Sequence, residues 1–379
     1  MEPTASAGTL VDLFCGCGGF SLGAELAGFN SIAAVDIEPT LQSGYRRNFP
    51  QTRTVQADVS DLDASDWRIL IGRTRPDGVI GGPPCQGFSA IGRRRAGDSR
   101  NSLVFQYFRQ IAILRPRFFI MENVEGILRP ENRALLDAAI SQLPSRYHVL
   151  QPQILTAADY GAATTRRRVA IVGFDIADFP TLSVADFQPA ASRRVNVREA
   201  IADLPGPILQ NDDKEDLGWN FYPPCKEELT RYAAAARALP PLHLSSAQVR
   251  ERLRQGQVSG LFDTKHSESI AARYASVPAG KTDPITKSYK LDWNGQCPTL
   301  RAGTGSERGG FQAVRPLHPD EARVITVREA ARLQGFPDWF QFHPTKWQSF
   351  RMIGNSVSPL VSYGLLNTIA GMLSVRVAA

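Results

Sequence analysis

The stretch GGPPCQGFS, residues 81–89, places one of only five cysteines directly behind two prolines. Pro83 and Pro84 fix the backbone φ angle before Cys85, whereas residues 86–101 are rich in glycine, serine and arginine. A nucleophile held rigidly at its root beside a flexible segment is expected where a lid closes over a substrate. The pattern therefore indicates covalent catalysis by Cys85.

A cysteine nucleophile needs positive charge nearby. A free thiol has a pKa of about 8.5, so only a few per cent is thiolate at neutral pH. Arg166 and Arg168, at the start of a later predicted strand, are candidates for that charge. The strand that follows the cysteine loop ends in Glu122 and Asn123.

A glycine-rich turn in DLFCGCGGFSLG could hold a ligand. Gly16, Gly18 and Gly19 allow the backbone to approach a bound molecule closely at the start of a helix. A dinucleotide site of the G-x-G-x-x-G type would need glycine at position 21, where Ser21 stands.

Acidic residues close the next two predicted strands. Asp36 lies where such sheets place a carboxylate on ribose hydroxyls, and Asp58 lies where an adenine amino group could donate to it. The alternative is that the glycines only form a tight turn and the acids only cap helices. Two acids behind a glycine turn favour an adenosine cofactor, and a sulfonium in place of a pyrophosphate needs no third glycine. S-adenosylmethionine fits that description.

The elements that must position these residues follow from hydrophobic periodicity. Buried strands are predicted for residues 9–14, 31–36, 54–58, 78–82, 118–123 and 168–173, with helix-like segments such as 102–114 and 131–142 between them. The alternation predicts an α/β fold with a doubly wound, mostly parallel sheet and ligands at the carboxyl ends of its strands.

The regular alternation ends near residue 180. Residues 185–320 are rich in proline, glycine and charge, which predicts a smaller, loop-rich second domain. We expect a catalytic, cofactor-binding domain at residues 1–184, an inserted target-recognition domain at 185–345, and a final segment, 346–379, whose helix returns to the sheet.

The charge and the cysteine content of the chain indicate which kinds of partner, metal and compartment to expect. The 379 residues carry a formal net charge of +6 and include clusters at 93–95, 166–168 and 193–194. A solvated face would explain any one cluster, but three together favour a polyanionic partner. The cysteine spacing does not match a structural zinc site, so no metal is expected. The amino terminus lacks the features of a secretion signal, so we expect a reducing cytoplasm and no disulfides.

Taken together, the motifs resemble those of the cytosine-5 DNA methyltransferases. DLFCGCGGFSLG is similar to the family's cofactor loop, GGPPCQGFS to its nucleophile loop, ENV to its glutamate motif and RRRVAIVG to its arginine strand. REAARLQGFPD (328–338) and IGNSV (353–357) resemble its two C-terminal motifs, in the family's order.

This resemblance implies a mechanism. The Cys85 thiolate would attack C6 of cytosine and make C5 nucleophilic. Glu122, protonated or sharing a proton with N3, would relieve the charge on the ring, which requires a carboxyl pKa raised by burial. Asn123 would position Glu122. Because a base inside a duplex cannot reach these groups, the cytosine would be flipped out, with residues 86–101 closing behind it.

The resemblance also assigns binding residues. Phe14 would lie against the adenine, Asp36 and Ile37 at the ribose, and Asp58 and Val59 at the adenine edge. The other residues implied for S-adenosylmethionine are Gly16, Gly18, Gly19, Pro83 and Asn355.

Three positions depart from the family pattern. Thr164 and Met352 stand where glutamine is usual, and Ile37 replaces an aromatic residue after the ribose acid. The arginines at 166 and 168 are retained, so these departures concern the orientation of the site and stacking on the adenine.

The segment PTLRAGTGSERGG (298–310) combines glycine with arginines able to bond guanine O6 and N7, although a solvated loop is the alternative. Thr299 and Leu300 resemble a threonine–leucine pair that target-recognition domains often carry. The residues assigned to DNA are Gln86, Ser89, Arg93, Thr299, Leu300, Arg301 and Arg308.

The predicted function is methylation of cytosine C5 in a specific short sequence of double-stranded DNA. The alternatives are a transfer-RNA methyltransferase, whose Cys-Phe-Thr insert motif is absent, and a catalytically silent DNA-binding regulator, which would not need Cys85 and Glu122 together. A NAD-dependent dehydrogenase is disfavoured by Ser21. We expect a cytoplasmic, nucleoid-associated monomer without a membrane segment, with a restriction endonuclease as a possible companion in the same system.

Overall fold

The structure is a computed structural model that describes residues 6–84, 102–179, 182–189, 193–224, 228–302 and 315–377. Its strands are β1 (Gly8–Leu13), β2 (Phe29–Asp36), β3 (Arg53–Gln56), β4 (Gly78–Gly81), β5 (Phe118–Asn123), β6 (Tyr147–Val149), β7 (Gln153–Thr156), β8 (Arg167–Asp175), β9 (Asn220–Phe221) and β10 (Gln257–Val258). Its helices are α1 (Gly19–Leu26), α2 (Pro39–Asn48), α3 (Ala64–Ile71), α4 (Ser102–Leu114), α5 (Pro130–Ile140), α6 (Val197–Ile201), α7 (Arg231–Arg237), α8 (Ala247–Arg254), α9 (Glu268–Ser276), α10 (Val327–Gln334), α11 (Lys346–Asn355) and α12 (Pro359–Val377).

The central sheet has the order β3-β2-β1-β4-β5-β8-β6, with β7 also paired to β8. The strands from β3 to β5 are parallel, and β8 runs antiparallel to β5, β6 and β7. The predicted doubly wound α/β fold is confirmed. Sequence analysis missed β6 and β7, because runs of three and four residues are too short for periodicity to detect.

The order of the strands reverses between β1 and β4. The chain moves outward from β1 to β2 and β3, then returns to place β4 on the other side of β1. A crevice forms outside the carboxyl ends of the strands at such a switch point, and ligands bind there. The glycine turn follows β1 and the cysteine-containing stretch follows β4, so the two motifs leave the sheet at this point.

Helices cover both faces of the sheet. Helices α3, α4 and α5 pack on one face around Trp67, Phe108 and Phe119, whereas α1 and α12 pack on the other. Helices α1 and α12 touch through Gly23, since a Cβ atom there would lie 2.4 Å from Ser362 Cβ and 2.5 Å from Pro359 O. The last helix thus returns to the sheet, as predicted.

A third core lies beyond the sheet. It joins α2 to α6, α10 and α11, with Phe336, Phe340 and Phe350 among its buried residues. In the described part of residues 197–302 the helices have five to nine residues and the strands two, and irregular chain connects them, in keeping with the irregular sequence. None of the helices in the described ranges is both long and apolar enough to cross a membrane.

The arginines of REAARLQGFPD are buried inside this third core. Arg332, 0% exposed, donates from Nε and Nη2 to the two carboxylate oxygens of Asp338 at 2.6 Å each, and its Nη1 lies 3.1 Å from Asp203 Oδ1. Arg328 donates to the carbonyls of Ser259 and Phe340 at 2.8 Å each. Removing one partner of the Arg332–Asp338 ion pair would leave a buried charge without compensation. The motif therefore stabilises this core.

Candidate active site

The glycine turn is tied to the ends of the neighbouring strands. Phe14 has a φ of 60°, in the left-handed region that a non-glycine residue rarely adopts, and Cys15 N donates to Val35 O at 3.0 Å. Gly16 N donates to Asp36 Oδ2 at 2.8 Å. The glycines thus form a tight turn, as in the alternative reached from the sequence, and Asp36 accepts a hydrogen bond from that turn.

Asp36 is almost fully buried, and Glu38 N donates to its other oxygen at 2.8 Å. Burial raises the pKa of the Asp36 carboxyl, against the lowering effect of the two backbone hydrogen bonds. Ile37, the next residue, is 62% exposed. A buried carboxylate with spare acceptor capacity beside an exposed apolar side chain suits a ligand that has hydroxyl groups and a flat apolar surface.

The end of β3 lies against the end of β2. Ala57 N donates to Asp36 O at 3.2 Å, which brings Asp58 and Val59 to the same edge of the sheet. Asp58 Oδ1 accepts from Ser60 N at 2.8 Å, and Val59 is buried with its carbonyl bonded to Gln110 Nε2 at 2.8 Å. Phe14 packs at the margin of the same apolar cluster.

Ser21 forms a buried network beneath the turn, which sequence analysis missed. Its hydroxyl donates to Asp12 Oδ2 at 2.6 Å and accepts from the Tyr45 hydroxyl at 2.8 Å. Burial, opposed by the bond from Ser21, raises the pKa of Asp12 to about 7. Ser21, which stands where a dinucleotide fingerprint has its third glycine, therefore links Asp12 and Tyr45 by hydrogen bonds.

Asn123 ties β5 to the root of the cysteine loop. Its Nδ2 donates to Pro83 O at 3.2 Å, and its Oδ1 accepts from Val124 N at 2.8 Å. Cys85, Gln86, Ser89, Arg93 and Arg308 lie outside the described residues.

Glu122 and Arg168 form an ion pair on neighbouring strands. Arg168 Nε lies 3.0 Å from Glu122 Oε1, and the two side chains are 21% and 14% exposed. The other oxygen, Oε2, faces Gly82, since a Cβ atom on Gly82 would lie 3.4 Å from it. One carboxylate oxygen is therefore directed at a cation and the other at the segment that leads to Cys85.

Arg166 is buried and joins three distant segments. Its Nη1 donates to Leu300 O at 3.2 Å and to Gly354 O at 3.0 Å. Burial, with a further contribution from the charge of Arg168, lowers the pKa of Arg166 to about 9. Glu122, Arg166 and Arg168 line one pocket of about 370 Å³, part of it open to solvent, together with Phe20, Leu155, Val357 and Ser358.

The predicted recognition segment begins beside this pocket. Thr165 N donates to Cys297 O and Cys297 N to Ala163 O, each at 2.9 Å, and Thr164 is buried opposite Cys297. Leu300 packs in the core with 4% exposure. Thr299 is half-buried and Arg301 is exposed, so of these three side chains Arg301 is the most accessible.

Helix α11 ends at the same place. Asn355 is exposed at its last position. Gly354 is pressed against the chain at Arg301 and Ala302, because a Cβ atom on it would lie 2.4 Å from Ala302 N. Met352, one of the departures from the family pattern, is buried, and its sulfur lies 3.1 Å from the position that a Cβ atom on Gly44 would take.

One contact of this helix was also missed by sequence analysis. Arg351 Nη2 lies 2.9 Å from Glu38 Oε2, which ties the helix to the residues after Asp36. Such long-range pairs leave no local signal in a sequence. Within the described part of the chain, no group of three or more histidine, cysteine, aspartate or glutamate residues is placed to hold a metal ion.

Comparisons with known proteins agree on one family. A sequence model described as "C-5 cytosine-specific DNA methylase" matches residues 8–371. The Type II methyltransferase M.XorII of Xanthomonas oryzae pv. oryzae is 40% identical over 360 residues, which cover 93% of this chain and 82% of that protein. M.DdeI of Desulfomicrobium norvegicum, also a Type II methyltransferase, is 29% identical over 392 residues, with coverages of 95% and 88%.

Solved structures extend the likeness to the fold. A DNA modification methyltransferase encoded within a prophage (E. coli) is 38% identical with a TM-score of 0.86, covering 97% of this chain and 99% of that one. The S. pombe Dnmt2 methyltransferase is 16% identical with a TM-score of 0.56, covering 98% and 99%, a likeness of fold alone.

Proposed function

Because the chain belongs to the family of C-5 cytosine-specific DNA methylases and is a DNA (cytosine-5) methyltransferase, we propose that it methylates a flipped-out cytosine in one short duplex sequence through a covalent bond from Cys85 to C6. The observation that carries this proposal is the placement of Glu122, with Oε1 at Arg168 and Oε2 facing the segment before Cys85. A carboxyl group at this position can exchange a proton with the cytosine ring while Cys85 attacks that ring.

The residues at the switch point fit S-adenosylmethionine as the cofactor. Asp36 would accept from the ribose hydroxyls, Ile37 and Phe14 would contact the adenine, and Asp58 and Val59 would face its edge. The fit is supported by the buried Asp36 carboxylate beside the exposed Ile37. The remaining proposed contacts are Gly16, Gly18, Gly19, Pro83 and Asn355. When bound, the cofactor supplies an electrophilic methyl group on a sulfonium.

Cytosine C5 is a weak nucleophile, and the protein's task is to activate it. The Cys85 thiolate adds to C6 and displaces the π electron pair of the C5–C6 double bond. Conjugation spreads this pair over C5 and N3. Glu122 holds a proton between its Oε2 and N3, which neutralises the charge that develops there. Arg168 keeps the carboxyl group in this orientation. Once C5 carries the methyl group that the cofactor would supply, loss of the C5 proton to a base re-forms the C5–C6 double bond, expels the Cys85 thiolate and leaves 5-methylcytosine.

We propose three functional segments: a catalytic domain at residues 1–184, a target-recognition domain at 185–345, and a C-terminal segment at 346–379 whose helix returns to the sheet. Support comes from Arg166, which contacts Leu300 and Gly354 and so connects all three. Thr299, Arg301 and Arg308 belong to the proposed DNA surface, with Gln86, Ser89 and Arg93 from the cysteine loop. Leu300, which was predicted to contact DNA, is buried in the core and is not part of that surface. We further propose that the enzyme acts as a monomer in the cytoplasm, on nucleoid DNA, and that a restriction endonuclease of the same specificity accompanies it.

The test is base-resolution mapping of 5-methylcytosine in a methylation-free bacterial host that expresses the wild type or Cys85→Ser. Methylation at one short sequence, seen only with the wild type, is the expected result. Methylation by Cys85→Ser at the wild-type rate would contradict the nucleophile assignment. If neither protein methylates DNA, transfer RNA is tested next, and a silent DNA-binding regulator is the remaining alternative.

The covalent step has its own test. Fluorine at C5 of the target cytosine cannot leave as a proton does, so the adduct between Cys85 and C6 persists after methyl transfer. We expect a stable protein–DNA complex with 5-fluorocytosine DNA for the wild type and none for Cys85→Ser. The variant should still bind the cofactor and unmodified DNA.

A further inference from the structure

One face of helix α11 carries three residues with distinct contacts. Lys346, Phe350 and Gly354 are spaced by four residues, so they lie on the same side of the helix. Gly354 is pressed against Arg301 and Ala302. The guanidinium carbon of Arg315 lies 4.1 Å from the centre of the Phe350 ring. Residues 301–302 and Arg315 therefore both contact this face of the helix.

Two cationic side chains and a histidine lie near one another at the first turn of the helix. Arg315, Lys346 and His266 are each half-buried. Burial first, and then the charge of Arg315, lower the pKa of Lys346, whereas the charge of Asp263 acts in the opposite direction. The pKa of His266 is lowered by burial and by the charges of Arg315 and Lys346, with Asp263 acting in the opposite direction.

These cations lack the anionic partners that half-buried charges usually have. Lys346 Nζ donates to the backbone carbonyl of Asp263, and Arg315 stacks on Phe350. In the described ranges no carboxylate forms an ion pair with either side chain. Asp263 acts on Lys346 only through its charge, without an ion pair, so a bound anion would further offset the cost of burying these two cations.

The position of Lys346 strengthens this argument. It is the first residue of α11, where the helix dipole favours negative charge and disfavours a cation. The N-cap residue, Thr345, makes no side-chain hydrogen bond to the helix, and the first turn has no acidic residue. Because a lysine at this position does not stabilise the helix, we infer that it is present to bind an anion.

We propose that Arg315 and Lys346, flanked by His266, bind a phosphate group of the DNA backbone. The proposal rests on DNA being the substrate. The other end of the helix face, Gly354, is bonded to Arg166 in the pocket of Glu122. Eight residues of helix separate Lys346 from Gly354, or about 12 Å. The bound phosphate thus lies a few nucleotides from the target base and fixes the register of the duplex without reading its sequence.

The test uses the full chain with Arg315→Gln, Lys346→Gln and the double variant. Arg254→Gln is the control, because Arg254 is an exposed arginine of α8 whose Nη1 lies 3.6 Å from Glu251. Affinity for duplex DNA is measured at several salt concentrations. We expect each single variant to bind about 3- to 10-fold more weakly at low salt, and the double variant to reduce the slope of log affinity against log salt by about 0.9 for the one phosphate lost.

Two features distinguish a phosphate contact from other roles. The loss should be equal for target and non-target sequences, and turnover at saturating DNA should stay close to that of the wild type. An unchanged salt slope in the double variant, or a loss restricted to the target sequence, would overturn the proposal. If the wild type binds no DNA at all, that result contradicts the proposed function itself. The phosphate site, which depends on DNA being the substrate, is then contradicted as well.

Lys346→Glu separates binding from folding. A glutamate at the first position of α11 favours the helix dipole, so thermal stability should be unchanged or higher while DNA affinity falls further than with Lys346→Gln. A lower melting temperature with unchanged affinity would make Lys346 a purely structural residue and contradict the proposal. Arg315→Lys, which retains the charge, should restore most of the affinity that Arg315→Gln loses.

Discussion

The guanidinium of Arg168 lies 3.0 Å from the carboxylate of Glu122, measured from Nε to Oε1. The two residues come from antiparallel strands in which Glu122 faces Ala170, so Arg168, two residues away, lies on the same face of the sheet. The pair is mostly shielded from solvent. One carboxylate oxygen is thus paired with a cation, while the other faces Gly82.

Replacing Glu122 by glutamine should lower the rate of methyl transfer by about 10²-fold or more, the scale of a proton-transfer group. The amide keeps the size of the side chain but cannot share a proton with N3. Single-turnover methylation of duplex DNA measures the effect.

The matched control is Glu125→Gln. Glu125 pairs with Arg167 at 3.2 Å, but these side chains are 42% and 53% exposed. An exposed pair contributes little, so we expect a rate within about 2-fold of the wild type. Equal rates for Glu122→Gln and the wild type would leave Glu122 with a structural role only.

Gly354→Ala should destabilise the protein by about 1–3 kcal/mol and impair catalysis, because the new methyl group would overlap the backbone at Ala302 and displace the carbonyl that Arg166 binds. Denaturant unfolding measures the free energy. Gly371→Ala in α12 is the control: no atom lies within 4 Å of its Cβ position, so stability should rise by about 0.5–1 kcal/mol. Similar effects of the two substitutions would contradict the close approach at Gly354.

The buried Asp12 carboxyl should make stability depend on pH. Its pKa is raised to about 7 in the folded protein, so the folded state holds the proton more tightly than the unfolded chain. The stabilising contribution is fully present below the unfolded pKa of about 4 and is lost as pH rises through about 7.

Asp12→Asn removes this titration. The free energy of unfolding, measured from pH 4 to pH 8, should fall less steeply with pH in the variant than in the wild type. The slope is the quantity to compare, because the amide also changes the hydrogen bond with Ser21. Parallel curves would contradict the raised pKa of Asp12.

The buried thiols should resist alkylation. Cys15, Cys17 and Cys297 are 6%, 2% and 0% exposed, and burial raises the pKa of Cys17 to about 12 and those of the other two above their usual value. Iodoacetamide at pH 8, followed by peptide mass spectrometry, should leave all three unmodified in the native protein and label them in denaturant. Modification of Cys297 in the native state would show that the contact between residues 163–166 and 297–300 opens readily.

The sheet was predictable because its signals are local. Apolar runs such as residues 31–36 and 118–123 are as long as a buried strand, and the glycine turn after β1 requires residue types that few other structures need. The motifs also identified the family, since several long motifs in a fixed order rarely coincide. Fold and enzyme class were thus correctly predicted, whereas the roles of individual site residues stay predictions.

The contacts that assemble the site could not be predicted. Arg166 bonds to the carbonyls of residues 134 and 188 positions away, and Asp338 and Asp203 meet on Arg332 within the core. Backbone carbonyls are the same at every position, so no residue type marks an acceptor. Ser21 was noted in the sequence as a missing glycine, but only the approach of Asp12 and Tyr45 gives its hydroxyl a purpose.

By itself the sequence determined the alternation of strands and helices, the chemistry of the motifs and the family, because these depend on residue type and on spacing along the chain. Only the tertiary structure decided that Glu122 directs one oxygen to Arg168 and the other toward the cysteine loop, and that α11 brings Lys346 beside Arg315. The physical reason is that such contacts form between segments far apart in the chain, where packing of the whole core sets the distances and local propensity has no influence.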